Sequence, residues 1–119
     1  MIIVRYLLLY VILAALYGCV IQENCIAKHS EYEVITREKP VYPTSAYEED
    51  IEGWTVISLT ITDEGKASDV IVIESNPDKV FDEASVRAGS KMEFKPRVIN
   101  CKPIPVYDVQ YRHNFTLED

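Results

Sequence analysis

Polarity alternates with period two over Trp54–Thr62 (WTVISLTIT), which puts Thr55, Ile57, Leu59 and Ile61 on one face and Trp54, Val56, Ser58 and Thr60 on the other. That is the pattern of a half-buried strand. Asp63-Glu64-Gly65-Lys66 follows as a hairpin turn in which Gly65 can take positive φ, and Ala67–Glu74 (ASDVIVIE) returns as a second strand. Ser75-Asn76-Pro77-Asp78 breaks it. Over Lys79–Met92 the period changes: Phe81, Ala84, Ala88 and Met92 recur at spacings of three and four, the narrow apolar stripe of a helix. Gly89 lies inside that stripe and weakens its last turn by up to about 1 kcal/mol relative to Ala. Phe94-Lys95-Pro96 closes the helix, and a loop with Pro103 and Pro105 leads to a last strand, Val106–Leu117. Its odd positions, Tyr107, Val109, Tyr111, His113, Phe115 and Leu117, form an apolar face, and Asp108, Gln110, Arg112 and Asn114 a polar one. Upstream, Pro40-Val41-Tyr42-Pro43 is extended, because a residue before proline avoids the helical region. Thr44–Asp50 then suits one or two helical turns, stopped by Gly53.

These elements predict an α+β domain, a three-stranded antiparallel/mixed sheet in the order 2-1-3 with two helices on one face. The second and third strands run parallel around an antiparallel first strand, with a right-handed crossover between them. The last strand then forms a sheet edge about a dozen residues long. Long edges expose unpaired N–H and C=O groups. Either Asp108 and Arg112 blunt this edge with charge, or a partner peptide adds a strand to it.

The N-terminus follows a different logic. Met1–Arg5 carries positive charge, an apolar run reaches Ile21, and Leu16-Tyr17-Gly18-Cys19 resembles a lipobox, with Cys19 as the lipidated residue. Residues 1–18 are read as a signal peptide or a short membrane anchor, 19–39 as a tether with a short strand at Tyr32–Thr36, and 40–119 as the domain. Both readings of the leader place the rest of the chain outside the cytoplasm, attached to a membrane. In that oxidising compartment Cys25 and Cys101 are candidates for a disulfide. A metal site on Cys25, His29, Cys101 and His113 lacks the second close-spaced ligand pair that such sites use.

With 19 acidic against 12 basic residues and a net charge of -7, nucleic acid is excluded as a partner. The sequence has no Gly-rich phosphate loop, nucleophile elbow or HExxH, so no enzyme and no cofactor or metal is expected. His113 reads as a packing residue of a strand face. Glu48-Glu49-Asp50 with Glu52 reads as a solvated acidic face, and Lys91, Lys95, Arg97 and Lys102 as a basic counterpart.

Seven short motifs in order carry a resemblance over Pro40–Leu117: Tyr42-Pro43 with Ala46; Ile51-Glu52-Gly53-Trp54; Asp63-Glu64-Gly65-Lys66; Ser68-Asp69-Val70 with Glu74-Ser75; Phe81-Asp82-Glu83-Ala84; Phe94-Lys95-Pro96; and Asn100–Val106. This stretch resembles the periplasmic C-terminal domain of the TonB family. The resemblance implies a three-stranded sheet with two helices. It implies strand pairing with the TonB box of an outer-membrane receptor, and energy supplied by an ExbB–ExbD-like complex. Carried over by position, pairing falls on Tyr107, Val109, Tyr111, His113 and Phe115, and partner side-chain contacts on Arg37, Glu38, Lys39 and Val41. No histidine lies between Met1 and Ile21, where the family's coupling helix carries one. A second reading therefore stays open, a lipid-anchored binding module without energy coupling. Whether the same edge also pairs two copies into a homodimer stays open too.

Overall fold

The computed structural model describes Cys25 and residues 28–117, and the statements below concern these residues. The leader and Cys19 lie outside them. Among the described residues no helix is long and apolar enough to cross a membrane.

The element order is β1 (Glu33–Thr36), α1 (Thr44–Glu48), β2 (Gly53–Ile61), β3 (Ala67–Asn76), α2 (Asp82–Ser90), β4 (Glu93–Lys95), β5 (Arg97–Ile99), β6 (Lys102–Ile104) and β7 (Val106–Phe115). β3, β2 and β7 form the three-stranded sheet in that order, with β2 antiparallel to both neighbours. The expected 2-1-3 order and α+β class are therefore present. The period-two face of β2 is the core: Thr55, Ile57, Leu59 and Ile61 are each at most 1% exposed. Met92, Phe94, Val106 and Val109 complete the main cluster, and Ala46, Phe81 and Phe115 form a second one near α1.

α2 reaches the sheet through small residues. Ser85 is fully buried, and its hydroxyl lies 2.6 Å from that of Thr55. Gly89, expected only to weaken the helix, is where α2 comes closest: a Cβ there would stand 2.5 Å from Ile57 Cδ1 and 3.0 Å from Val70 Cγ1. The absent side chain sets the helix-to-sheet distance. Its propensity cost is incurred for packing, which propensity alone does not register. The helix is also shorter than the Lys79–Met92 periodicity suggests, although Phe81 and Met92 at its flanks are buried as the stripe requires.

Two parts of the architecture depart from the sequence reading. The loop with Pro103 and Pro105 is instead a small hairpin, β5 against β6, turned at Asn100 and Cys101, both at positive φ. Residues 28–36, read as tether, lie against the domain. Ser30 and Val98 exchange two backbone hydrogen bonds of 2.9 Å, and β1 pairs with β4 in the register Glu33↔Lys95 and Val34↔Phe94. Gly65 anchors β4 in turn: at φ +81° its carbonyl accepts the Phe94 N–H at 2.8 Å.

Thr55 and Ser85 satisfy each other in the buried layer between the sheet and α2. Ser85→Ala alone should cost about 1–3 kcal/mol, because the Thr55 hydroxyl is then buried without a partner. Combining it with Thr55→Val should cost less than the sum of the single changes, as read by urea denaturation of all four forms.

Candidate docking edge

β7 is an edge strand whose ladder partner is β2. Among the described residues, no other main-chain hydrogen bond involves Val106–Phe115. Strand residues alternate the direction of their N–H and C=O groups, so every second residue of β7 turns both outward with no protein partner.

The sheet's two edges differ. Along β3 the register with β2 shifts twice, between Val56 and Ile57 and between Ser58 and Thr60, and Asp69 sits at φ +50°. Such bulges twist an edge away from pairing. β7 has a single shift, at its start. Leu59 pairs with Val109 but Ile61 with Val106, so three steps of β7 oppose two of β2, and Asp108 takes φ +54°. From Val109 to Phe115 the register with Gly53–Leu59 is unbroken. These seven residues offer a straight edge of about 23 Å.

That bulge corrects one expectation. Tyr107 does not belong to the apolar face. It is 69% exposed, and Val106 takes the inward position beside Ile61. The extra residue flips the parity on one side of Asp108, which no count of odd positions can reveal. Past the bulge the expected face is present: Val109, His113 and Phe115 are buried and Tyr111 is half-buried. Their side chains are committed to the core, so only their main chain is available at the edge. The side chains open to solvent along β7 are Tyr107, Asp108, Gln110, Arg112 and Asn114.

Arg37, Glu38 and Lys39 run beside this edge and, with Pro40, Arg112, His113 and Asn114, border a cleft of about 330 Å³. Val41, 73% exposed, lies just beyond it. The segment is fixed at both ends. Upstream, β1 is paired with β4, and Arg97 is bonded to Glu31 at 2.8 Å. Downstream, Tyr42 packs edge-on against Phe81 and Phe115, which stack with ring centroids 4.2 Å apart, and its hydroxyl donates to the Ile51 carbonyl. Burial, with Glu52 and Asp50 nearby, pushes the Tyr42 hydroxyl above its ordinary pKa, so it stays a donor through the neutral range. Between these anchors the Arg37 guanidinium sits 5.4 Å from the Tyr111 ring centroid. Cys25 and Cys101 face each other with Cα atoms 6.0 Å apart, and the Cys101 N–H donates to the Lys28 carbonyl at 3.2 Å.

Sequence reasoning missed two features of the site. The Arg112 guanidinium lies 4.4 Å from the Trp54 ring centroid on the open face, a cation–π contact that only the β2–β7 register brings together. His113 is 4% exposed, yet neither ring nitrogen has a hydrogen-bond partner among the described residues. Burial first, and Arg37 second, lower its pKa below the ordinary value of about 6.5. The acidic residues around Glu48 remain a surface feature, and among the described residues no cluster suited to a metal ion occurs.

Comparison with known proteins places the same stretch in one family. The model of the family described as "Gram-negative bacterial TonB protein C-terminal" matches residues 38–117. Protein TonB of Pseudomonas aeruginosa is 38% identical over 73 residues, which cover 61% of this chain and 21% of that relative's length. The solution NMR structure of the Pseudomonas aeruginosa TonB CTD superimposes with a TM-score of 0.65 at 32% identity, covering 76% of this chain and 90% of that one. A structure of the TonB2 protein from Vibrio anguillarum gives a TM-score of 0.56 at 29% identity, covering 71% and 80%.

The buried neutral His113 makes stability depend on pH. Its folded pKa lies below the unfolded value, so stability in place above about pH 6.5 is lost as pH falls through the lower folded value. His113→Gln should flatten that part of the profile in urea denaturation between pH 7.5 and 5.5.

Proposed function

We propose, for a chain that belongs to the family of Gram-negative TonB C-terminal domains, that it is the peptide-docking part of a cell-envelope energy transducer. Facing the periplasm, it takes an extended segment of an outer-membrane receptor as a fourth strand on β7 and so serves energy-coupled transport. Main-chain hydrogen bonds supply the affinity, and alternate side chains of the incoming strand supply the selectivity. Tyr107, Val109, Tyr111, His113 and Phe115 offer the pairing strand. Arg37, Glu38, Lys39 and Val41 offer the flanking side chains.

The observation that carries this reading is the unbroken register of Val109–Phe115 with β2, whose outer main-chain groups have no partner among the described residues, opposite a sheet edge that is bulged twice. A docking surface needs no nucleophile or metal, which suits a chain without catalytic motifs. An ExbB–ExbD-like complex would deliver the energy. The N-terminal residues would hold the domain to the membrane, through a lipidated Cys19 or a short anchor. A disulfide between Cys25 and Cys101 would fasten residues 28–36 to the β5–β6 hairpin and so keep Arg37–Val41 beside the edge.

Proline at Gln110 in one variant and at Tyr111 in another tests the pairing. Neighbouring residues send their N–H groups to opposite sides, so one of the two variants removes only an outward donor. That variant should keep its circular dichroism and bind synthetic peptides from the periplasm-facing segments of outer-membrane receptors about tenfold more weakly, the equivalent of one lost hydrogen bond. A folded variant with undiminished binding contradicts the proposal.

A further inference from the structure

The segment beside β7 is held unequally at its two ends. Downstream, Tyr42 packs on the buried rings of Phe81 and Phe115. Upstream, the hold is mostly main-chain and superficial. Val34 and Ile35 of β1 are 41% and 66% exposed, and the register with β4 shifts between Val34 and Thr36. The ion pair of Arg97 with Glu31 lies largely in solvent, where such pairs contribute little. Tyr32, edge-on to Phe94 with ring centroids 6.3 Å apart, joins this stretch to the core. A strand so lightly packed needs a further tie to stay in place.

The β5–β6 turn supplies one, with a residue that the turn itself does not favour. Asn100 and Cys101 stand at φ +50° and +64°. A two-residue hairpin turn with both φ positive suits Asn-Gly, because a side chain in the left-handed region is strained. Cysteine in the glycine position places a thiol within reach of Cys25, since Cα atoms 6.0 Å apart lie inside the span of a disulfide. The bond would join positions 76 apart in sequence and clamp the start of the stretch to the hairpin. Cys25 is exposed and Cys101 half-buried, so the pair is open to a reagent. Lys28, whose carbonyl accepts the Cys101 N–H, and Lys102, next in the chain, bring positive charge that favours thiolate.

We propose that Cys25 and Cys101 form a thiol–disulfide exchange site, through which a dithiol protein sets the strength of docking on β7. The proposal rests on the docking reading and adds its regulation. A thiolate of the dithiol attacks the exposed Cys25 sulfur and forms a mixed disulfide, and Cys101 leaves as a thiolate that takes up a proton. The second thiol of the partner then displaces Cys25, which is protonated in turn. Two electrons and two protons have passed to the chain: it holds two thiols, and the partner holds the disulfide. With the bond closed, residues 37–41 stand beside β7 before a strand arrives. With it open, β1 is left with its short pairing to β4, and docking must first order the stretch, which weakens binding.

The test compares the full chain in detergent micelles, air-oxidised or reduced with dithiothreitol. Cys25 and Cys101 should resist iodoacetamide in the oxidised chain and be alkylated after reduction. Reduction should speed amide exchange in Glu33–Thr36 about tenfold and leave Gly53–Ile61 unchanged. Synthetic peptides from the periplasm-facing segments of outer-membrane receptors should bind the reduced chain about tenfold more weakly. Cys101→Gly, which suits the turn, should keep its circular dichroism, bind as weakly as the reduced chain and ignore dithiothreitol. Alkylation of both cysteines in the oxidised chain, or unchanged exchange in β1, overturns the proposal. So does a response to dithiothreitol that persists in Cys101→Gly. Equal peptide binding by the two states overturns the regulation and leaves strand docking standing. If no peptide binds either state, the docking reading itself fails, and the regulation with it.

Discussion

The main-chain groups on the outer side of Val109–Phe115 have no partner among the described residues, and this follows from how the sheet is filled. β2 supplies the most buried strand of the core and pairs on both sides, with β3 and with β7. Among the described residues there is no fourth long strand beside it, so β7 ends the sheet with half its N–H and C=O groups facing outward. On β3 two register shifts interrupt the corresponding row. On β7 the one shift falls at Asp108, before the straight run starts. The bulge confines irregularity to the end of the strand and leaves seven successive residues in register with β2.

What lies beside that edge is set by a segment held at both ends. Arg37–Val41 has no helix or strand of its own. Its position is imposed by β1 pairing with β4 on one side and by Tyr42 packed on Phe81 and Phe115 on the other. Both anchors are tied to the core through neighbouring aromatic residues, since Phe94 of β4 and Phe115 of β7 are each buried. A loop fixed in this way presents charged side chains without losing much conformational entropy when a ligand arrives. The same anchoring makes residues 28–36 structurally part of the domain.

The sheet was legible because β2, β3 and most of β7 obey period two, and burial of one face enforces that period. Legibility stopped where a single residue breaks the count. Asp108 shows no glycine or proline to announce its bulge, so Tyr107 was expected inside and is outside. The β5–β6 hairpin was hidden for a related reason. Its turn uses Asn100 and Cys101 where glycine would have been the signal, and its second strand carries Pro103, which reads as loop. Gly89 looked like a weakness because helix propensity knows nothing of the Ile57 side chain beneath it. Contacts such as Arg112 over Trp54, or the Arg37 segment against His113, depend on register and on a crossing chain. No local pattern encodes them.

Amide hydrogen exchange followed residue by residue in the unliganded chain addresses the free edge most directly. Along Val109–Phe115 the account predicts strict alternation: amides turned to β2 are strongly protected, and the intervening ones exchange within a small factor of unstructured rates. Uniform protection of all seven amides would mean that another part of the chain, or a second copy of it, already occupies the outer side of β7, and the account would be wrong.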